Sequence, residues 1–175
     1  MDLVIEELTP AAFAPYGDVL QIEGSRFFHI NDGKTERYHD LARIEVSDGN
    51  RVLASINRAE PCDLPMTFSL LEKHPLSSQA FVPMNGERFV VIVAEPGETI
   101  PVGTLRAFIT NGKQGINYHR NVWHHPLFAY AKVTDFFTID RAGADERQLR
   151  IAPELRRFFT HTLSFSLRWH HSVIA

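Results

Sequence analysis

Turn signals recur so closely along this chain that they leave little room for a long helix. Asn31-Asp32-Gly33, Ser47-Asp48-Gly49-Asn50, Asn85-Gly86 and Asn111-Gly112 each sit between short apolar runs. Residues of these types tolerate the left-handed backbone that tight turns demand. Between them, residues 18–22, 26–30, 51–58, 79–84, 88–94, 105–110 and 128–140 read as strands. Residues 88–94 (RFVVIVA) are the most hydrophobic run, and their β-branched content favours a buried strand. Residues 35–46 alternate only roughly, yet the short turn that follows predicts a hairpin with residues 51–58. That strand shows Val52, Ala54 and Ile56 on one face. Thr9 followed by Pro10 is an N-cap signature for a brief helix. The expected class is all-β, a sandwich or barrel with a few short helices.

At 175 residues the chain is most simply one domain, spanning 1–175, with the tail from about 147 read as an extension. In that tail, residues 145–159 have helical character interrupted by Pro153. Residues 161–170 alternate as an amphipathic strand, which would suit a sheet edge or a partner subunit. Thirteen Phe residues predict an aromatic core. A formal charge of −3 argues against nucleic acid as a bulk electrostatic partner, leaving room for a local basic pocket. Cys62 is the one cysteine, so no intrachain disulfide forms, which fits a reducing, cytoplasmic setting. The N-terminus has no basic segment before an apolar run, so no signal peptide is expected. No stretch approaches the roughly 20 apolar residues that span a bilayer, so no membrane partner is expected.

Two polar clusters flank residues 88–94. The later one lies within residues 111–127 (NGKQGINYHRNVWHHPL), where His119, His124 and His125 stand among Tyr118, Trp123 and Pro126. Imidazole is the side chain most easily held near neutral pH as acid, base or metal ligand. The earlier cluster is Glu72-x-His74 followed by Gln79 and Gly86-Glu87. Residues two apart on a strand share a face, so Glu72 and His74 can project together. With Gln79 and His124 they make an N/O set suited to a divalent ion such as Ni²⁺, Mn²⁺ or Zn²⁺.

Glu72-x-His74-x4-Gln79-x6-Gly86 has the spacing of a first cupin motif, with Glu72 replacing the first His and Gln79 replacing the Glu. Asn121-Val122-Trp123-His124 approximates the second motif without its Gly. The chain thus resembles the cupins, which implies a cupin-like double-stranded β-helix barrel. The segments FFHINDG, ERYHDLA, SINRAEP, LEKHPLSSQAFVPM, LRAFITNGKQGINYHRNVWHHPLFA and VTDFFTIDR narrow the likeness. Together they resemble the ureidoglycolate lyase family of allantoin breakdown, from near the N-terminus to about Arg141. That resemblance implies a homodimer that cleaves (S)-ureidoglycolate to glyoxylate and urea, with Ni²⁺ stimulation in some members.

The substrate is a carbinolamine, so its collapse needs a base for the hydroxyl proton and an acid for the departing nitrogen. His119 is the first candidate for base or acid, and His124 for metal ligand or second proton-transfer group. Tyr118 joins this catalytic set. Arg58 is the candidate for the substrate carboxylate, since its fork matches that group. Arg37 and His39 form a second polar group that would bind substrate, within one subunit or from its partner, and Trp123 is a further substrate contact. The expected metal set is Glu72, His74, Gln79 and His124. Two other readings stay open: a non-catalytic cupin-type protein that binds a small carboxylate, and an amidohydrolase that releases ammonia.

Overall fold

The computed structural model describes residues 3–66, 68 and 70–142. The helix and strand expected in the tail, and its docking, lie outside the described residues. Two sheets dominate. The first joins β1 (Ile5–Glu7), β9 (Arg106–Ile109), β8 (Val90–Ala94) and β11 (Trp123–His124), in that order. The second joins β2 (Gly17–Leu20), β10 (Gly115–Tyr118), β7 (Gln79–Pro83), β13 (Thr134–Ala142) and β5 (Arg51–Ala59). Two small pairs complete the set: β3 (Phe27–Ile30) with β4 (Thr35–Tyr38), and β6 (Pro61–Cys62) with β12 (Ala129–Tyr130). Among the described residues the helical content is α1 (Pro10–Phe13) and a 3₁₀ turn at Val102–Thr104. Thr9 caps α1 as its sequence predicts, Oγ1 accepting from the Ala12 N–H.

Burial explains the pairing. All five residues of β8 are buried, because both faces of the first sheet are covered. Val90, Ile92 and Ala94 join Leu71, Leu105, Trp123 and Phe128 in an outer core. Val91 and Val93 join Phe13, Phe81, Phe89, Phe108, Ile116, Tyr118 and Phe136 in the core between the two sheets. Fully burying each aliphatic side chain of this size contributes about 1.5–3 kcal/mol. The aromatic content predicted from composition is thus split over two layers. The result is an all-β, cupin-like barrel whose inner face is set by the strands of both sheets.

The expected hairpin between residues 35–46 and 51–58 does not form. Instead β5 pairs with β13 over all nine residues, from Thr134↔Ala59 to Ala142↔Arg51. Residues before the turn are engaged elsewhere: Ser78 N–H donates to Glu45 O and Ser47 N–H to Leu76 O, at 2.9 and 2.8 Å. The partner of β4 is β3, across a turn in which Asn31, Asp32 and Gly33 all have positive φ. A long register with an alternating partner has outcompeted the nearest neighbour in sequence. The Val52/Ala54/Ile56 face also points outward, with Ile56 64% exposed.

Gly17 lies where β2 meets β10 opposite Tyr118, and a Cβ there would overlap the Asn117 carbonyl oxygen and press on Phe13. Gly17→Ala is therefore expected to cost about 3 kcal/mol, the top of the overpacking range. Gly103→Ala, with open space around its Cβ position, should stay within about 0.5 kcal/mol. Paired thermal and urea melts of the two variants check the contrast.

Candidate active site

The inner face of the second sheet changes character along its strands. Successive registers place Ile116, Phe81 and Thr138 in one row, and Tyr118 opposite Gln79 in the next. One further step beyond Ile139↔Ala80 sets Asp140 opposite Gln79. The inner side chains of β13 therefore run Phe136, Thr138, Asp140, from apolar floor to polar rim. Facing this rim, the first sheet is extended by an antiparallel bridge between Glu72 and His124. Glu72 N–H donates to His124 O at 2.7 Å and His124 N–H to Glu72 O at 2.8 Å. The side chains of Glu72, His74 and His124 then converge with those of Tyr118, Gln79 and Asp140.

His124 Nε2 lies 3.5 Å from Glu72 Oε1, and His74 Nε2 lies 3.9 Å from the same oxygen. The His74 and His124 rings are 5.1 Å apart, and Tyr118 stacks on His124 at 4.2 Å. His74 Nε2 bonds Gln79 Oε1 at 3.1 Å. An oxygen of this kind accepts, so Nε2 carries the proton in that arrangement. His124 is fixed differently. Its Nδ1 is 2.9 Å from Val122 O, and a carbonyl can only accept, so Nδ1 holds the proton. Nε2 is buried, lacks a hydrogen-bond partner and faces the cluster.

The electrostatics follow from burial. Burial, with the charge of His124, pushes His74 down to about 4, so its ring is neutral at neutral pH. Glu72 feels burial too, which raises its carboxyl, but His124 and His74 outweigh this and hold it below the usual range. Burial, and the nearby Glu72 carboxylate, push the Tyr118 phenol well above its ordinary value. Burial raises Asp140 as well, opposed by a hydrogen bond from Gln79.

The donor set fits a divalent ion. One ligand atom from each of Glu72, His74 and His124 lies within 4.8 Å of the others. Gln79 Oε1 adds a neutral oxygen beside them. A carboxylate, two imidazoles and a carboxamide oxygen are ligands for Ni²⁺, Mn²⁺ or Zn²⁺. The unpartnered Nε2 of a buried His124 is the atom that such an ion would satisfy.

Several residues singled out from the sequence lie elsewhere. His119 follows Tyr118, and strand alternation turns it to the outer face. There its Nε2 is 3.1 Å from Asp18 Oδ1, while Asn117 Nδ2 donates to Asp18 Oδ2 at 2.9 Å. Arg58 is on the outer face of β5, forked onto Asp135 at 2.7 and 2.8 Å. Arg37 and His39 lie in and just after β4, against Phe28, away from the cluster. Trp123 alternates away from His124 into the outer core, under the Lys73 ammonium. His125 packs edge-on between Phe68 and Phe128. Conversely, Thr138 and Asp140 belong to the inner rows, and sequence reasoning passed over them. Their signal was the alternation of residues 134–142, which places Thr134, Phe136, Thr138 and Asp140 on one face. Arg141, whose charge reaches His74, was missed as well.

A family model described as ureidoglycolate lyase matches residues 1–156. Proteins named ureidoglycolate lyase from Escherichia coli O1:K1, Escherichia coli O9:H4 and Shigella boydii serotype 18 are each 56% identical to the chain over 154 residues. Those alignments cover 88% of this chain and 96% of each relative. Extent and identity together place the chain in the ureidoglycolate lyase family.

Proposed function

We propose that this protein is a ureidoglycolate lyase whose reaction takes place at the polar rim of the barrel. The observation that carries the reading is the convergence of Glu72, His74, Gln79 and His124 with Tyr118 above an apolar floor, in a chain of this family. In the reaction the C–N bond to urea breaks, the hydroxyl of the same carbon becomes the glyoxylate C=O, and one proton moves from oxygen to nitrogen. Glu72, His74, Gln79 and His124 would hold a divalent ion, with Ni²⁺ the member suggested by the resemblance. When bound, the ion supplies positive charge for the oxygens of the substrate.

The chain's own groups divide the proton work. Glu72 is the anionic acceptor of the rim and takes the hydroxyl proton. Tyr118 keeps its phenolic proton through neutral pH, gives it to the departing nitrogen and takes back the proton held by Glu72, so the protein ends each cycle as it began. Each positioned transfer of this kind contributes roughly 10²–10⁴-fold. Arg141, half-buried and donating to Asn50 Oδ1 at 3.0 Å, pairs with Val52 on the outer parity of β13, and its charge reaches His74 from the end of that strand. His119 is read as a brace for the β2–β10 pair through Asp18. Homodimer formation and a cytoplasmic setting belong to the same reading; the β3–β4 hairpin, with Phe27 and Phe28 about half exposed, would carry Arg37 and His39 towards a second copy.

Incubating the purified protein with ureidoglycolate should release glyoxylate and urea in equal amounts, without ammonia. Ammonia would point to an amidohydrolase, and binding without products to a carboxylate sensor. His124→Ala should lower kcat/KM by at least about 100-fold. Arg58→Ala, which disturbs an exposed pair on the outer face, should leave kcat and KM within about twofold. Steady-state kinetics on both variants compare the two faces of the sheet.

Chelation followed by dialysis should abolish turnover, and adding back Ni²⁺ or Mn²⁺ should restore it. An unchanged rate after chelation would make the four-residue set a polar pocket rather than an ion site.

A further inference from the structure

The inner row of the second sheet places Gln79 between Tyr118 on β10 and Asp140 on β13. A carboxamide has two unlike ends, a carbonyl oxygen that accepts and an NH₂ that donates. The Gln79 oxygen faces His74 Nε2 at 3.1 Å. With the oxygen so placed, its NH₂ turns to the other neighbour in the row, Asp140, one register step beyond Ile139↔Ala80. The reverse orientation would set the amide oxygen against a carboxylate that can only accept. It would also turn NH₂ protons toward the ligand atoms of Glu72, His74 and His124. Asp140 is thus the group that makes one orientation of Gln79 favourable and the other repulsive. Its Oδ1 is buried and has no hydrogen-bond partner among the described residues, so a carboxylate acceptor stands ready beside the Gln79 amide.

We infer that Asp140 is a positioning residue. By accepting from the Gln79 amide it keeps the Gln79 carbonyl oxygen turned toward His74 and toward the position of the ion. This holds His74 with its proton on Nε2 in the metal-free protein, poised to be exchanged for a cation, and it presents Gln79 as an oxygen ligand rather than a wall of N–H groups. Outer groups that orient ligands in this way set metal affinity by about 10–100-fold. The inference rests on reading the rim as an ion site for the lyase reaction, but its first consequence, the tautomer of His74, is visible without metal or substrate.

The test begins with ¹⁵N-labelled, metal-free protein, in which long-range ¹H–¹⁵N spectra assign the tautomer of His74. The wild-type ring should carry its proton on Nε2. Asp140→Asn keeps the shape of the side chain but can turn its own NH₂ toward a reversed Gln79. His74 should then move towards the Nδ1–H form, and the Kd for Ni²⁺, measured by competition with a chelator, should rise about 10–100-fold. Gln79→Glu alone would set two carboxylates side by side and should weaken Ni²⁺ binding less than it strengthens it in the Asp140→Asn background, where the new carboxylate gains a donor. The double variant Gln79→Glu with Asp140→Asn should therefore return His74 to the Nε2–H form and bring the Kd back within about threefold of wild type. An Nδ1–H ring in the wild type overturns the inference, as does an unchanged tautomer in Asp140→Asn. A double variant no better than Asp140→Asn also overturns it. The wild-type spectrum is decisive even where a variant fails to fold. Failure of the lyase reading itself shows separately, as absence of glyoxylate from wild-type protein.

Discussion

Two backbone hydrogen bonds between Glu72 and His124 hold the candidate site together. They join segments about fifty residues apart in sequence and add an edge to the first sheet. Because side chains alternate, the same pairing sets both faces at once. Inward it brings a carboxylate within 3.5 Å of an imidazole. Outward it brings Lys73 beside Trp123, where the ammonium lies 4.6 Å from the ring centre. Lys73 Nζ and Trp123 Nε1 both donate to Gly97 O, at 2.7 and 3.2 Å. A buried lysine would be costly unless its donors were used, and here one carbonyl and one aromatic face take up its charge. The outer clamp therefore fixes the strand ends whose inner side chains form the site.

The floor beneath that site matters as much as its rim. Phe81, Phe89, Phe108 and Phe136 close the barrel with edge-on contacts, such as 5.0 Å between Phe89 and Phe136. Water is excluded from below, so the ionisable groups above lie at the end of an apolar well. Burial is accordingly the largest influence on His74, Tyr118, Glu72 and Asp140 alike. The interior of β13 records the transition residue by residue, from Phe136 through a fully buried Thr138 to Asp140. Thr138 Oγ1 has no partner in the described residues and marks the boundary between the two regimes.

Much of this was legible in the sequence. The spacing Glu72-x-His74-x4-Gln79 and a distant His124 identified the converging donors, because period-two alternation and turn placement are local properties. What local pattern could not supply was the sign of each face. Val52, Ala54 and Ile56 form one face of an alternating strand, as their spacing predicts, and β5 shows that face to solvent and turns Leu53 and Ser55 toward the inside. Arg58 follows the same parity outward. His119 was the most suggestive residue by company alone, but one step along β10 separates it from Tyr118 and carries it to Asp18. The hairpin failed for a related reason. Turn chemistry ranks neighbours in sequence, whereas a nine-residue register with β13 is a tertiary outcome.

Charge explains why the rim would favour a cation. Glu72 is held in its charged form, Asp140 adds a second carboxyl group, and His74 is neutral. Left to themselves these groups make an acidic rim over an apolar floor, an environment that repels a substrate bearing its own carboxylate. Electrostatic interactions strengthen as water is excluded, so the repulsion would be greatest where the chemistry must occur. A divalent ion among Glu72, His74, Gln79 and His124 would reverse the sign locally. A neutral Gln79 at the position where the cupin spacing has Glu fits the same balance: a third carboxylate there would sit against Asp140 and add to the negative charge that repels the substrate. The neutral amide would offer an oxygen beside the three candidate ligands while leaving the positive charge of an ion available to the substrate.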